Sequence, residues 1–530
     1  MSDNRNTEAA WHYHDLTKHS YWSIRASPHY LDWANKPSPF KIYPDIGPIP
    51  LPRTLVQTLA PAVEVVASTG GAFTAERSPD LARLASILYY SAGVTKHRTY
   101  PGGELYFRAA ACAGALYPTE VYVVCSDIDG LEAGVYHFNP GDFALRRLRE
   151  GDLRGVLARA SGSEPSVVSA PVTLVFTSIS WRSTWKYRDR AYRYHFWDNG
   201  MILANSLVMA AAHELPAKVV MGFVEADVNK LTGIDGQQEL PLSFLALGHT
   251  DQSLPDGAVI EDLPEINFEI VPISISPVDY PSIREAHAAS SLTNHDEARE
   301  WHNARIDSSP PLREALQAGM PALPGAIEGE AFPLAPMTDD GMPADAIEDV
   351  IQRRGSTRRF ARKAMPFADL STIIDRATRG ITTDFLKRDA APLNDIYAIV
   401  NRVEGLPPGA YFYRRQDRAM ELLKPGEFSA KAAYLTLDQD LGGDACVTFF
   451  FITDLGPVLD AYGNRGYRAA QMEAGVIGGK MYLASYALKR GATGLTFYDD
   501  DVTKFFSPHA AGKSCTLVVS VGIPSKRPIY

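Results

Sequence analysis

The chain contains itself twice, and the spacing between the copies does not drift. GVYHFNPGDFALRRL, starting at Gly134, is answered by GAYFYRRQDRAMELL, starting at Gly409. YRYHFWDNGMILANSLVMAAAHELPAKVVMGF from Tyr192 is answered by YRAAQMEAGVIGGKMYLASYALKRGATGLTFY from Tyr467, and Tyr122 in TEVYVV by Tyr397 in NDIYAIV. Each pair is 275 residues apart. A single offset held over about a hundred residues marks a tandem duplication. Whatever fold one copy adopts, the other shares, and the two can dock within one chain as the halves of a homodimer would.

Each copy reads in the same order. A helical stretch (LARLASILYYSAG, LSTIIDRATRG) precedes an apolar strand (VYVVCS, IYAIVN), and a hairpin strand with alternating aromatics follows. Then come a fully apolar strand (APVTLVFTSI, ACVTFFFITD), a long Ala-rich helix and a closing strand (LPLSFLALG, CTLVVSVGI). Strands and helices mix without regular βαβ spacing, so the expected class is α+β. The expected organisation is one domain over 1–250, a Pro/Ala-rich connection with short helical pieces over 251–345, and a second domain over 346–530.

Bulk properties narrow the function classes. With 52 basic and 62 acidic residues the formal charge is −10, which argues against a general nucleic-acid binder. The N-terminus is polar, without the apolar core of a signal peptide, and no apolar run reaches the ~20 residues of a membrane span. Cys112, Cys125, Cys446 and Cys515 show no metal-ligand spacing, and the thirteen histidines no HExxH pair. A cytoplasmic protein without a metal is expected.

Two stretches carry chemistry. RRGSTRRF, residues 353–360, sets four arginines around a serine; it is either a solvated basic turn or a phosphate site, since the guanidinium fork matches phosphate oxygens. RAAACAGALYPTEVYVV, residues 108–124, has a run of small residues that is either a tight turn or a surface on which backbone N–H groups approach a flat ligand.

Together with YHDLTKHSYWS (13–23), LDWANKPSPFKIYPD (31–45), GVYHF (134–138) and WKYRDRAYRYHFWDNG (185–200), these stretches resemble the nitroreductase superfamily of FMN-dependent proteins. Within it they resemble the SagB-type dehydrogenases, the azoline oxidases of ribosomal-peptide biosynthesis. The resemblance implies a tandem nitroreductase fold forming an intrachain pseudo-dimer, present as a monomer or a dimer of it. It implies FMN, its phosphate gripped by Arg353, Arg354, Ser356 and Arg358, with Arg359 facing outward. The ring would lie against Cys112, Ala113, Gly114, Ala115 and Leu116, with Gly494 and Leu495 completing the cofactor set. Cys112 stands where the superfamily usually has serine.

The copies are unequal under this reading. The C-terminal copy has the arginines but a degraded loop (DAAPLNDIY); the N-terminal copy keeps the loop but offers LTKHSYWS where arginines are expected. One composite FMN site per chain is therefore expected. Lys186 and Tyr187 match the Lys-Tyr pair of the azoline-oxidase branch, Lys186 as the base; one offset on, the residues are Ala461 and Tyr462. Arg182, Arg188, Arg190 and Arg193 lie close in sequence and would lower the lysine pKa; alternatively, this is a basic loop that meets substrate carboxylates or water. The implied activity is oxidation of an azoline to an azole on a peptide or small molecule, with a cyclodehydratase or another biosynthetic enzyme as partner. The alternatives are nitro or quinone reduction with NAD(P)H, or a flavin-holding scaffold without catalysis.

Overall fold

Duplication in the sequence becomes duplication of two sheets. The computed structural model describes residues 3–26, 28–100, 103–255, 260–306, 329–338, 341–387 and 391–525, so part of the Pro/Ala-rich connection lies outside the described residues. The N-terminal copy forms a seven-stranded sheet in the order Ile49–Pro50, Ala144–Glu150, Gly134–Asn139, Thr119–Cys125, Val172–Ile179, Glu239–Leu247, Ala217–Val220. The C-terminal copy repeats the order with Ala331–Pro333, Ala419–Pro425, Gly409–Arg414, Asp395–Val400, Val447–Thr453, Ser514–Gly522, Gly491–Leu495. All neighbours within each sheet are antiparallel.

Even the irregularities recur at the same offset. The register shifts between Val135 and Tyr136 and between Phe176 and Thr177, and again between Ala410 and Tyr411 and between Phe451 and Ile452. A bulge re-aims the residues beyond it, so its retention means that both copies keep the same sheet curvature. The central strands Thr119–Cys125, Val172–Ile179 and Val447–Thr453 are buried along their whole length. Their continuous apolar runs follow from burial on both faces.

Helices cover the sheets, and two of them join the copies. Ala191–Ala212 and Asn464–Ala487 are buried on almost every residue, their charged and polar side chains included. They cross where Gly200 meets Gly475, one offset apart. A Cβ on Gly200 would stand 2.7 Å from the Gly475 backbone, so only glycine permits this approach. The pseudo-twofold axis passes through the crossing, and buried side chains from both copies merge there into one core.

The same axis relates two short helices that meet side by side. Ala62–Val65 and Ile347–Arg353 start at an antiparallel bridge between Pro61 and Ala346, in which Ala62 N–H donates to Asp345 O and Ile347 N–H to Ala60 O. Pro281–Ala289, in the connection, packs against Glu8–Leu16 near the same axis. The two are counterparts: His14 reaches the Tyr467 hydroxyl, and His287 the Tyr192 hydroxyl.

Candidate active site

The arginine segment begins where helix Ile347–Arg353 ends and the chain turns extended at Arg354. Arg354 reaches into the other copy, its Nε donating to Ala109 O (2.9 Å) and its Nη2 to Arg108 O (3.2 Å). Burial pulls its pKa down, and only neutral groups and carbonyls touch it. Ser356 Oγ lies 3.4 Å from the Tyr482 hydroxyl, which accepts the Gly494 N–H. Thr357 N–H bonds to Ala492 O, tying the segment to the edge strand Gly491–Leu495. Arg353 is already engaged, with Asp345 and with Tyr486 O. Arg358 and Arg359 are exposed.

Opposite lies the small-residue loop of the N-terminal copy. Gly114, Ala115 and Tyr117 all have positive φ (63°, 54° and 51°), a conformation costing non-glycine residues roughly 1–2 kcal/mol each. A Cβ on Gly114 would fall 2.8 Å from the Tyr187 hydroxyl. The loop is held from beneath by Asp198, on helix Ala191–Ala212. Asp198 Oδ1 accepts the Ala113 N–H (2.8 Å), and Oδ2 accepts the Cys112 thiol (3.3 Å). Burial raises the Asp198 carboxyl to about 7 despite these donors. Burial and the Asp198 charge push the Cys112 thiol well above its ordinary range, so it stays protonated. A small pocket opens between loop and helix, lined by Ala110, Ala111, Cys112, Tyr117, Asp198 and Ile202.

Helix Ser180–Tyr187 delivers the candidate catalytic pair. It stops at Arg188, whose φ of +51° turns the chain towards the long helix. The Tyr187 ring stacks on Tyr194, centroids 4.2 Å apart and planes at 8°, and burial raises its phenol pKa well above 10. Lys186 is exposed, with Nζ 5.4 Å from the Tyr187 ring centroid. Partial desolvation and then the Arg358 charge lower its pKa. Arg358 therefore faces the Lys-Tyr end of the cleft, and its segment and the lysine come from opposite copies. Three of the four neighbouring arginines expected to press on Lys186 are spent elsewhere: Arg182 on Glu120, Arg190 and Arg193 on Asp499.

One assignment from the sequence is corrected. LTKHSYWS is not the counterpart of the arginine segment. Lys18 pairs with Asp15 and Asp500, His19 N–H donates to Asp499, and Thr17 Oγ1 accepts from Arg193. The axis instead pairs helix Ala62–Val65 with Ile347–Arg353, and counted from the Pro61–Ala346 bridge, Ser68-Thr69-Gly70-Gly71-Ala72-Phe73-Thr74 answers Arg353-Arg354-Gly355-Ser356-Thr357-Arg358-Arg359. Every arginine is lost in this counterpart. The constant 275 offset hid this, because the spacing here, from Pro61 to Ala346, is 285.

The profile of the nitroreductase family matches residues 72–249 and again 351–523, covering most of the chain and both copies. The chain belongs to the nitroreductase family.

A nitroreductase-family protein of Anabaena variabilis has a solved structure that superposes with a TM-score of 0.74 at 25% identity, covering 98% of this chain and 99% of its own. The trifolitoxin-processing protein TfxB of Rhizobium leguminosarum bv. trifolii is 32% identical over 197 residues, 35% of this chain and 53% of its own. The microcin B17-processing protein McbC of Escherichia coli is 28% identical over 150 residues, 27% of this chain and 52% of its own. The chain thus spans about half the length of these two relatives. Nitroreductases generally use FMN, and the donor set fits it: a half-buried guanidinium with no carboxylate partner among the described residues, hydroxyls beside it, and a wall without a side chain at Gly114. Asp198 and Tyr482 escaped the sequence reading. Their position facing each motif across the cleft was the missing signal.

Proposed function

We propose that this nitroreductase is an FMN-dependent dehydrogenase that oxidises an azoline-type ring, or makes a related C–N or C–C desaturation, in peptide or natural-product maturation. The reading rests on one observation above others: Arg354 bridges from the arginine segment to the carbonyls behind the small-residue loop. That contact assembles a single composite cleft from unlike halves. Its kinship with two peptide-processing proteins supports a peptide-like substrate.

FMN, when bound, supplies a two-electron acceptor. Arg354 and Ser356 hold its phosphate, and Arg358 adds positive charge at the Lys186 end. The loop 112–116 presents backbone to the ring and excludes water from one face. Lys186 Nζ takes the proton that leaves the substrate ring, its lowered pKa putting more of the amine in the neutral form. Tyr187, protonated and stacked on Tyr194, orients that amine and walls the cleft.

The test is anaerobic reduction of the purified flavoprotein by azoline peptides, NADH and NADPH in parallel. Bleaching by an azoline peptide is expected. Bleaching by nicotinamides alone would favour nitro or quinone reduction, and an absence of flavin would return the chain to a scaffold.

A further inference from the structure

Pseudo-symmetry requires a second cleft, built from the segment that follows helix Ala62–Val65 of the N-terminal copy and the edge strand Ala217–Val220. In the first cleft, the chain leaving helix Leu81–Ala92 swings outward as a two-stranded hairpin, Val94–Tyr100 and Gly103–Arg108. The strand Gly491–Leu495 is left as a sheet edge. In the second, the chain leaving helix Phe367–Ala377 turns inward. Gly380 sits so close to Ala67 O and Ser68 O that a Cβ would fall within 2.6 Å of both. Thr382 and Asp384 then pair with the strand edge: Val219 N–H donates to Thr382 O (2.9 Å), and Asp384 N–H to Val219 O (3.0 Å).

The Asp384 side chain completes the closure. Its Oδ2 accepts the backbone N–H of Met221 (2.9 Å) and Gly222 (2.8 Å) and the indole N–H of Trp301 (2.9 Å), and His302 Nδ1 lies 3.2 Å away. Adjacent backbone donors converging on one oxygen make an anion site. Trp301 comes from the connection, on helix His295–Asn303, and seats only because residue 222 is glycine: a Cβ there would overlap its ring at 2.1 Å. The aligned residue beside the first cleft is Phe497. Trp301 packs 4.9 Å from the ring of Tyr462, the counterpart of Tyr187, whose hydroxyl is taken up by Phe385 O (2.8 Å) and Ala304 O (3.1 Å).

We infer that the second cleft is a carboxylate-binding site whose permanent ligand is the chain's own Asp384, with Trp301 and residues 380–386 filling the space a cofactor would occupy. The second cleft is closed by residues 380–386 of the C-terminal copy together with Trp301 of the connection. This rests on the duplication and not on which cofactor the first cleft takes.

Peptide-level hydrogen exchange tests it on the full chain, with and without FMN. Without ligand, peptides covering 217–224 should be protected, and FMN should leave them unchanged. Asp384→Ala should raise their exchange at least tenfold; if that variant fails to fold, Trp301→Phe, which removes only the indole donor, should still raise it measurably. Protection of 217–224 that appears only on adding FMN would overturn the inference. So would exchange there that neither variant alters. Protection of 491–497 by FMN reports separately on the function proposed above.

Discussion

Arg193 donates to Asp499 Oδ1 at 2.7 Å across the junction of the two copies, both groups buried. Arg190 reaches Asp499 Oδ2 at 2.9 Å, and one offset on, Arg465 and Arg468 meet Glu225 in the reverse direction. The duplication thus preserves a crossed pair of buried ion clusters, each carboxylate being supplied by the copy that does not supply its arginines.

Removing one partner strands the other charge in low dielectric. Asp499→Asn should lose about 3–5 kcal/mol, and Glu225→Gln a similar amount. Burial alone would raise the Asp499 carboxyl, but Arg190 and Arg193 hold it at about 2, below its ordinary 3.8. Since the folded value lies below the unfolded one, its stabilisation is complete above about pH 4 and fades as pH falls towards 2. Acid unfolding followed by circular dichroism should therefore show a shallower dependence in Asp499→Asn. Equal steepness would contradict this.

The arginines should differ in their effect on cofactor affinity. Among the described residues Arg354 has no carboxylate partner, and it faces the cleft, so Arg354→Ala should weaken FMN binding roughly ten- to a hundredfold, the worth of about 1.5–3 kcal/mol. Arg353 is held by Asp345, and Lys18 by Asp15 and Asp500. Their alanine variants should bind FMN within about threefold of wild type, well under 1 kcal/mol. Fluorescence titration decides; equal losses in all three would remove the phosphate assignment.

Lys186→Ala should fold and bind FMN, while substrate-driven flavin reduction falls roughly 10²- to 10⁴-fold. Arginine should not rescue it, because guanidinium stays protonated. A base acts when neutral, so the single-turnover rate should rise with pH through the lowered pKa of Lys186 and level off below the ordinary lysine value of 10.5. A flat profile, or a change in KM with kcat intact, would make Lys186 a binding residue instead.

Asp198 predicts the opposite pH trend in stability. Its folded pKa, about 7, lies above the ordinary 3.8, so burying it costs nothing below about pH 4 and progressively more as pH rises towards 7. Asp198→Asn cannot ionise, and its melting temperature relative to wild type should climb between pH 5 and 8. The raised Cys112 thiol should resist iodoacetamide at pH 7 in wild type, read by mass spectrometry.

Much of the fold was legible because it is local or repeated. Continuous apolar runs became buried strands, aromatic alternation became hairpin strands, and one offset predicted that the two copies share a fold; the shared bulges appear only in the structure. Arg354, Ser356, Lys186 and the loop 112–116 stood out because their chemistry is unusual for their surroundings. Three things were decided only in three dimensions. The true counterpart of the arginine segment, Ser68–Thr74, is set by the bridge at Pro61 and Ala346, where insertions have shifted the spacing away from 275. Asp198 acts on Cys112 and Ala113 from 85 residues away, through a contact that only helix packing creates. The closure by Asp384 and Trp301 joins segments more than 80 residues apart. A sequence fixes which groups can donate, accept or fill space. Which of them meet depends on the docking of two copies across glycines 200 and 475, and that is a property of the packed chain.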